Sequence, residues 1–284
     1  EFELAANETR IFSDIVEAIP GLEGEEQSGS VLIESSSDSG CKVLSVSRTF
    51  NNTPVGSLGL FVPALPVKAN NSDFLDLTGL VRSADYRTNV RLVNYGDADV
   101  WVPLTLYDHN GNQISEYRSA MVRGHSTKQI NEIAVWLGVE GSIEPFSVRA
   151  DVTGVEVQAF ATVVDNITGD SVLFLSNFTS ENTIWVVGVA NLEGVNSSQW
   201  RSDLWLYNPT EEWLPGEVEF VVGDSPGDIY GFEWPTLGSN RIKQYVDIVG
   251  DELGLDETRG YIVLTGADGG PAPQVAARTY NLDL

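Results

Sequence analysis

The sequence predicts an all-β protein built of tandem β-sandwich modules of about 115 residues, each with one short helix. Three observations lead to this prediction. Apolar residues alternate or run together over lengths typical of strands, and Gly, Pro and Asn turns separate these runs. Strands do not alternate with helices as a parallel sheet would require. Finally, the same sequence landmarks recur at nearly one spacing along the 284 residues.

The closing segment of each module shows the repeat most clearly. Ser45–Asn51, Phe160–Asn166 and Val275–Asn281 end alike, and their final asparagines are 115 residues apart in both intervals. A second landmark, Arg87–Asn94, recurs as Arg201–Asn208 with an offset of 114. A spacing that independent landmarks share is typical of repeated structural units.

A third landmark predicts the helix of each module. Phe12–Ile15, Ile130–Ile133 and Tyr245–Ile248 each follow a polar cluster with helix-capping residues. In the first of these, isoleucines recur at every fourth position across residues 11–19, and a Pro-Gly pair then ends the predicted helix. One acidic residue aligns at each landmark, and a cap or turn role is predicted for Asp14, Glu132 and Asp247.

The repeat divides the chain into three predicted domains. Residues 1–66 match only the second half of a module, residues 67–180 form one module, and residues 181–284 form a module that lacks its closing strand. Incomplete sandwiches expose apolar faces and unpaired strand edges. We therefore expect either a piece of a longer protein or neighbouring subunits that supply strands by β-augmentation. The second alternative predicts head-to-tail contacts that grow into a filament.

The composition narrows the possible partners and the compartment. The chain has 41 acidic and 16 basic residues, a net charge of −25, which disfavours nucleic acid and anionic lipid as partners. No apolar run reaches about 18 residues, so membrane insertion is not expected. The single cysteine, Cys41, excludes a disulfide within one chain, and a buried structural thiol is predicted there.

Two stretches resemble a module of large, mostly uncharacterised secreted bacterial proteins. Trp200–Pro209, together with Ala277–Asn281, resembles the body of that module, and Arg48–Asn51 followed by Gly59–Ala64 resembles its closing strands. The resemblance spans essentially the whole chain, although Val163–Asn166 departs from its Arg-Thr-aromatic-Asn pattern. It implies tandem immunoglobulin-like sandwiches on an extracellular or cell-surface protein, and it implies no known chemistry.

The sequence predicts that the chain is not an enzyme. Its only histidines are His109, in a hairpin turn, and His125, and neither recurs in the other modules. A Gly-x-Ser-x-Gly elbow is absent as well. Carboxylate pairs for glycoside hydrolysis remain possible in so acidic a chain. However, acidic residues that recur once per module favour a structural role.

Two turns are candidate calcium sites because they offer several oxygen ligands in a short loop. Ordinary turn chemistry is the alternative explanation, since the full pattern of a calcium-binding EF-hand loop is missing. The candidate ligands are Asp108, Asn110 and Asn112 in the first turn, and Asp165 and Asp170 in the second.

Exposed tryptophans would suit sugar binding, since flat aromatic rings stack on sugars, although large sandwich cores also use tryptophan. Trp213 and Trp234 lie beside Pro or Gly turns and are the candidates, whereas Trp205 lies in a strand pattern and is predicted to be core. Asn-x-Ser/Thr sequons mark candidate glycosylation sites at Asn7, Asn51, Asn70, Asn166, Asn177 and Asn196.

The expected function is structural or adhesive, with other copies of the chain or neighbouring modules of a longer chain as partners. A carbohydrate-binding accessory region of a larger secreted protein is the alternative. Repeated apolar positions predict a set of buried core residues, namely Leu92, Leu106, Leu204, Leu206 and Ile248.

Overall fold

The computed structural model describes residues 3–21, 29–34, 43–53, 56–65, 73–176, 181–225 and 227–282. Within these ranges the chain is all-β and β-sandwich-like, with several antiparallel sheets, as the sequence predicts. No helix among the described residues is both long enough and apolar enough to span a membrane. The predictions for Cys41, Asn70 and Asn177 lie outside the described residues.

The N-terminal segment contains one hairpin and a set of turns. Strands β1 (Val46–Thr53) and β2 (Gly56–Pro63) pair antiparallel. The helix predicted across residues 11–19 is wrong, because this segment forms turns in which Asp14 Oδ1 accepts hydrogen bonds from the Val16 and Glu17 amides at 2.9 and 3.2 Å. Isolated helices of this length are marginal in water, and the isoleucines here are exposed rather than packed.

The first β-sandwich-like unit comprises two four-stranded sheets. Sheet A has the strand order β10-β9-β4-β7, and sheet B has the order β3-β8-β5-β6. Helix α1 follows β7 and precedes β8. The elements are β3 (Phe74–Arg82), β4 (Tyr86–Asn94), β5 (Val100–Asp108), β6 (Arg118–Val122), β7 (Ser126–Ile130), α1 (Ile133–Trp136), β8 (Ile143–Asp151), β9 (Val157–Asp165) and β10 (Ser171–Leu175).

The second unit has the same pairing order, without a counterpart of β10 among the described residues. Sheet C has the order β17-β12-β15, sheet D has the order β14-β13-β16-β11, and the end of β11 also pairs with the start of β12. The elements are β11 (Thr183–Glu193), a 3-10 turn (Val195–Ser197), β12 (Gln199–Tyr207), β13 (Leu214–Val222), β14 (Ile229–Leu237), β15 (Ile242–Tyr245), a π-helical turn (Ile248–Glu252), β16 (Thr258–Gly266), a 3-10 turn (Ala267–Gly269) and β17 (Gln274–Leu282).

The repeated asparagine at the end of β4 and β12 has the same contacts in both units. Asn94 Nδ2 donates to the carbonyls of Ala98 and Val122 at 2.8 and 3.2 Å. Asn208 Nδ2 donates to those of Glu212 and Leu237 at 2.6 and 2.9 Å. Both side chains are buried and tie the following loop to a neighbouring strand, which explains why the sequence repeats an asparagine here.

The closing strands of the two units are β9 and β17. Their pairing with β4 and β12 is shifted by one residue relative to the sequence alignment on the repeated asparagines. Tyr86 pairs with Asp165, and Trp200, 114 residues later, pairs with Asn281. The position that corresponds to Asn281 in the first unit is therefore Asp165 rather than Asn166. A sequence alignment on residue identity cannot detect such a shift, because strand register is set by pairing.

The predicted core positions are confirmed. Leu92 and Leu106 are fully buried between sheets A and B, and Leu204, Leu206 and Ile248 are fully buried in the second unit. Their strands alternate between core-facing and outward-facing residues, as half-buried sheets do.

The two short helical elements lie where the third landmark predicts them. Glu132 and Asp247 precede them with left-handed backbone angles. Asp247 Oδ1 accepts a hydrogen bond from the Gly250 amide at 3.1 Å, so its predicted cap role is confirmed. The side chain of Glu132 makes no capping hydrogen bond to α1.

Candidate functional site

Strand β3 of sheet B is covered on both of its faces. In β3, Leu75 and Leu77 point into the core between sheets A and B. The residues that alternate with them, Asp76 and Thr78, are also buried, although they point to the opposite side. A strand with one solvated face would show a polar, exposed residue at every second position.

Sheet C packs on the outer face of sheet B at strands β3 and β8. Leu204 and Leu206 of β12 belong to the core of the second unit, whereas Trp205 and Tyr207 belong to the same buried cluster as the core of the first unit. The ring of Trp205 lies edge-on to Phe174 of β10, with centroids 6.0 Å apart. The two units therefore pack face to face, and the sheets are stacked in the order A, B, C, D.

A buried polar network joins the two units at this interface. Arg149 Nε and Nη2 contact the two carboxylate oxygens of Asp76 at 2.8 and 3.1 Å, a bidentate pair within sheet B. From the second unit, the Tyr207 hydroxyl lies 3.1 Å from Asp76 Oδ1, and Gln274 Nε2 donates to the Asp76 carbonyl at 2.7 Å. Arg149 also donates to the Pro209 carbonyl at 3.0 Å. Both units thus contribute to satisfying one buried ion pair.

Burial controls the proton equilibria of this network. It raises the pKa of the Asp76 carboxyl, and the guanidinium of Arg149 and the Tyr207 hydroxyl oppose that rise by stabilising the carboxylate. Burial also raises the pKa of Tyr207, so its hydroxyl remains a hydrogen-bond donor. The interface therefore depends on Arg149, which supplies the positive charge beside Asp76.

The turn between β5 and β6 forms a second contact between the units. His109 accepts a hydrogen bond at its carbonyl from the Ile242 amide, at 3.0 Å. Gly111 has a φ of +83°, and a Cβ atom there would lie 2.6 Å from the Ser239 carbonyl oxygen. Only glycine fits both constraints, so the Asn-Gly pair that predicts a hairpin turn also allows this turn to contact the second unit.

The two candidate calcium turns use their carboxylates for backbone hydrogen bonds. Asp108 Oδ1 accepts from the Asn110 and Asn112 amides, both at 2.9 Å. The pKa of Asp108, which partial burial would raise, is lowered by these hydrogen bonds and by that from the Asn112 side chain. No group of three or more His, Cys, Asp or Glu side chains within the described ranges lies close enough to hold a metal ion.

The second turn is built in the same way. Asp165 Oδ1 accepts hydrogen bonds from the Thr168 and Ile167 amides at 2.9 and 2.7 Å, and these bonds lower the pKa of Asp165. Asp170 closes the turn through its backbone carbonyl, which accepts from the Asp165 amide at 2.9 Å. Turn chemistry thus accounts for the carboxylates of Asp108 and Asp165.

Replacing Asp108 by alanine is expected to lower the free energy of unfolding by about 1 kcal/mol, because the turn loses its side-chain acceptor. Since the folded-state pKa is depressed, this contribution is present above the ordinary pKa of an aspartate and is lost as the pH falls through the folded-state value. A metal chelator should leave the melting temperature of the wild-type chain unchanged. A drop of several degrees with chelator would instead support calcium.

The two tryptophans proposed for sugar binding differ in exposure. Trp213 is 65% exposed, as a binding residue requires. Trp234 is only 3% exposed, and its Nε1 donates to the Leu214 carbonyl at 3.0 Å. The prediction for Trp234 is wrong because its ring packs over Gly216 in the core. The prediction that Trp205 is a core residue is confirmed, although it packs against the first unit.

Three of the sequon asparagines are exposed. These are Asn7, Asn51 and Asn166, and Asn196 lies in the first 3-10 turn. Asn166 is engaged in contacts, because its Oδ1 accepts from Arg87 at 2.6 Å and its Nδ2 donates to the Ala84 carbonyl at 3.0 Å. The two histidines contact different neighbours, His109 beside Asn110 and His125 beside Asp97.

Sequence reasoning missed the network of Asp76, Arg149, Tyr207 and Gln274. One signal was present, since Asp76 lies between two leucines in an otherwise apolar strand. A charged residue in such a position is buried only if it is paired, and the partner Arg149 is distant in sequence.

No family model and no curated protein matches this chain.

Proposed function

We propose that this chain is part of a non-catalytic structural or adhesive protein outside the cell, built of tandem immunoglobulin-like β-sandwich modules that stack through their sheet faces. The packing of sheet B on sheet C is the observation that carries the proposal. Domains joined only by a linker move relative to one another by default. Here three features fix the relative orientation of the units. They are the buried ion pair of Asp76 and Arg149, the buried rings of Trp205 and Tyr207, and the contact of the Asp108–Asn112 turn with the second unit.

Other properties of the chain agree with a role as a rigid spacer. Its acidic surface favours solubility, and its resemblance to secreted bacterial repeat proteins implies an extracellular or cell-surface location. The hydrogen bonds of Asp76 and Arg149 go to each other and to residues of the second unit. The proposed partners are neighbouring modules or other copies of the chain.

A distance measurement across the stack tests the proposed rigidity. Spin labels would be placed by Lys128→Cys in β7 of sheet A and Glu233→Cys in β14 of sheet D, both exposed, in a Cys41→Ser background. A rigid stack predicts one narrow distance distribution, as narrow as that of a control pair within the first unit, Lys128→Cys with Arg118→Cys. A broad or bimodal distribution for the spanning pair alone would contradict the proposal.

Carbohydrate binding is the second candidate function, and the exposed ring of Trp213 favours it. Binding on a glycan array that is lost on Trp213→Ala and retained on Trp101→Ala would support it. Trp101 is a matched control because it is 67% exposed and lies in the first unit.

A further inference from the structure

We propose that the second unit accepts an extended strand of a partner polypeptide along the outer edge of β17. The strand that fits this edge has the pattern of β10, with large apolar side chains at alternate positions. Completion of one sandwich by a strand goes beyond the proposed function, which concerns the stacking of sheet faces. The acceptor, here called the open seam, consists of the outer edge of β17 and four partly exposed apolar residues, Ile184, Val186, Val275 and Ala277.

The outer edge of β17 offers unpaired backbone groups. In the first unit, the corresponding strand β9 is paired on both sides, with β4 and with β10. In the second unit, β17 pairs with β12 along all nine of its residues, whereas its other edge has no partner among the described residues. Backbone groups of alternate residues point to opposite edges of a strand, so one set of β17 amides and carbonyls can pair with another strand. Such an edge is the usual template for β-augmentation.

Strand β10 shows what a strand at this edge does in the first unit. It packs against β3 of the opposite sheet, and its Phe174 is only 6% exposed. A Cβ atom at Gly79, in the bulge of β3, would lie 3.1 Å from the Phe174 ring, so the ring covers this glycine. The apolar residues of β3 and β9 on this side of the core are fully buried, namely Leu75, Leu77, Ala159 and Ala161. Strand β10 therefore closes one side of the first sandwich.

The same side of the second unit is open. Gly188 of β11 corresponds to Gly79, because each interrupts the register of its strand with a positive φ. A Cβ atom at Gly188 would meet no other atom within 4 Å. The residues that correspond to the four buried ones of the first unit pack against the second core but remain partly exposed, namely Ile184, Val186, Val275 and Ala277. Two units of one repeat thus differ in burial at the place that β10 covers in the first.

The filled site of the first unit identifies the chemistry of the strand. Phe174 and Val172 of β10 pack against the first core, and they lie opposite core-facing residues of β9. The corresponding positions of β17 are Ala277 and Thr279. A docked strand would therefore place an aromatic ring opposite Ala277, where it covers Gly188, and a branched aliphatic side chain opposite Thr279. Burial of these side chains would contribute affinity, and the backbone hydrogen bonds would set the register.

The two sides of the open seam are already held together. Thr279 Oγ1 donates to the Gly188 carbonyl at 2.8 Å, which links β17 to β11 across the seam. On its inner side β17 is fixed by its ladder with β12. The edge that would receive the strand is therefore formed before docking, and only the incoming segment has to be ordered. A preformed acceptor lowers the entropic cost of binding.

Binding of a synthetic peptide to the full 284-residue chain tests the proposal. The probe copies residues 170–176, Asp-Ser-Val-Leu-Phe-Leu-Ser, with a fluorophore and terminal lysines for solubility. Fluorescence anisotropy at physiological ionic strength should show saturable one-to-one binding, and hydrogen exchange of the β17 amides should slow. A peptide with Phe174→Ala should bind at least about tenfold more weakly. A peptide in which Leu173 and Phe174 are exchanged should lose affinity as well, because the ring then points to the other face of the strand.

Variants of the chain locate the peptide. Val186→Asp places a charge beneath the docked strand and should weaken binding at least about tenfold. Val187→Asp is the matched control, since Val187 points away from the seam and is 79% exposed, and it should bind the peptide as the wild type does. The peptide variants leave the protein unchanged, so they test the proposal even if Val186→Asp does not fold.

Three results would overturn the proposal. The first is no binding, or equal binding of the three peptides. The second is protection of the other long edge strand, β14, in place of β17. The third is self-association of the wild type that protects the β17 amides without peptide, because a second copy of the chain would then fill the seam.

Discussion

Replacing Arg149 by methionine is expected to lower the free energy of unfolding by about 3–5 kcal/mol. Arg149 makes a bidentate contact with buried Asp76, and its removal leaves a carboxylate in a low-dielectric interface without a counter-charge. The hydroxyl of Tyr207 alone does not replace that charge. Urea denaturation of the full chain, followed by circular dichroism, measures the loss.

Two further variants show whether the effect comes from the unpaired charge. Arg118→Met removes a surface pair with Glu116 whose side chains are 43% and 68% exposed, and it should cost less than about 1 kcal/mol. Adding Asp76→Leu to Arg149→Met should restore most of the lost stability, because apolar groups of similar volume can replace a buried ion pair. An Arg149→Met variant within about 1 kcal/mol of the wild type would contradict the dependence of buried Asp76 on the charge of Arg149.

Replacing Trp205 by alanine is expected to cost about 3–5 kcal/mol, the range for large-to-small changes at buried aromatic residues. Trp205 is buried against Gly79 and Phe174 of the first unit, so its loss opens a cavity between the two units rather than within one. Equilibrium denaturation of the variant measures the cost. Trp101→Ala is the matched control, since Trp101 is largely exposed, and equal effects of the two changes would contradict the packing described for Trp205.

The sequence predicts the layers within each unit better than the contact between units. Leu92 and Leu206 recur at one repeated apolar position, and both are core residues because a half-buried strand alternates its faces. The same alternation assigns Asp76 and Trp205 to the face opposite the core. That face is exposed to solvent in an isolated sandwich. Only the packing of sheet C on sheet B buries it here.

Other differences arise from interactions that sequence patterns do not contain. The isoleucine spacing across residues 11–19 suits a helix, but periodicity stabilises a helix only where a surface receives its apolar face. Trp234 lies beside a turn, yet it is buried because Gly216 on the neighbouring strand leaves room for its ring. The Asp108–Asn112 turn is predicted by its Asn-Gly pair, whereas its contact with Ser239 depends on residues distant in sequence.

The direct contact between sheets B and C should contribute measurably to the stability of the chain. A double-mutant cycle between Asp76 and Tyr207 tests it most directly, because these residues belong to different units and their side-chain oxygens lie 3.1 Å apart. Unfolding free energies of the wild type, Asp76→Asn, Tyr207→Phe and the double variant should give a coupling energy of about 0.5–3 kcal/mol. Additive effects, with a coupling below about 0.3 kcal/mol, would contradict the face-to-face packing of the two units.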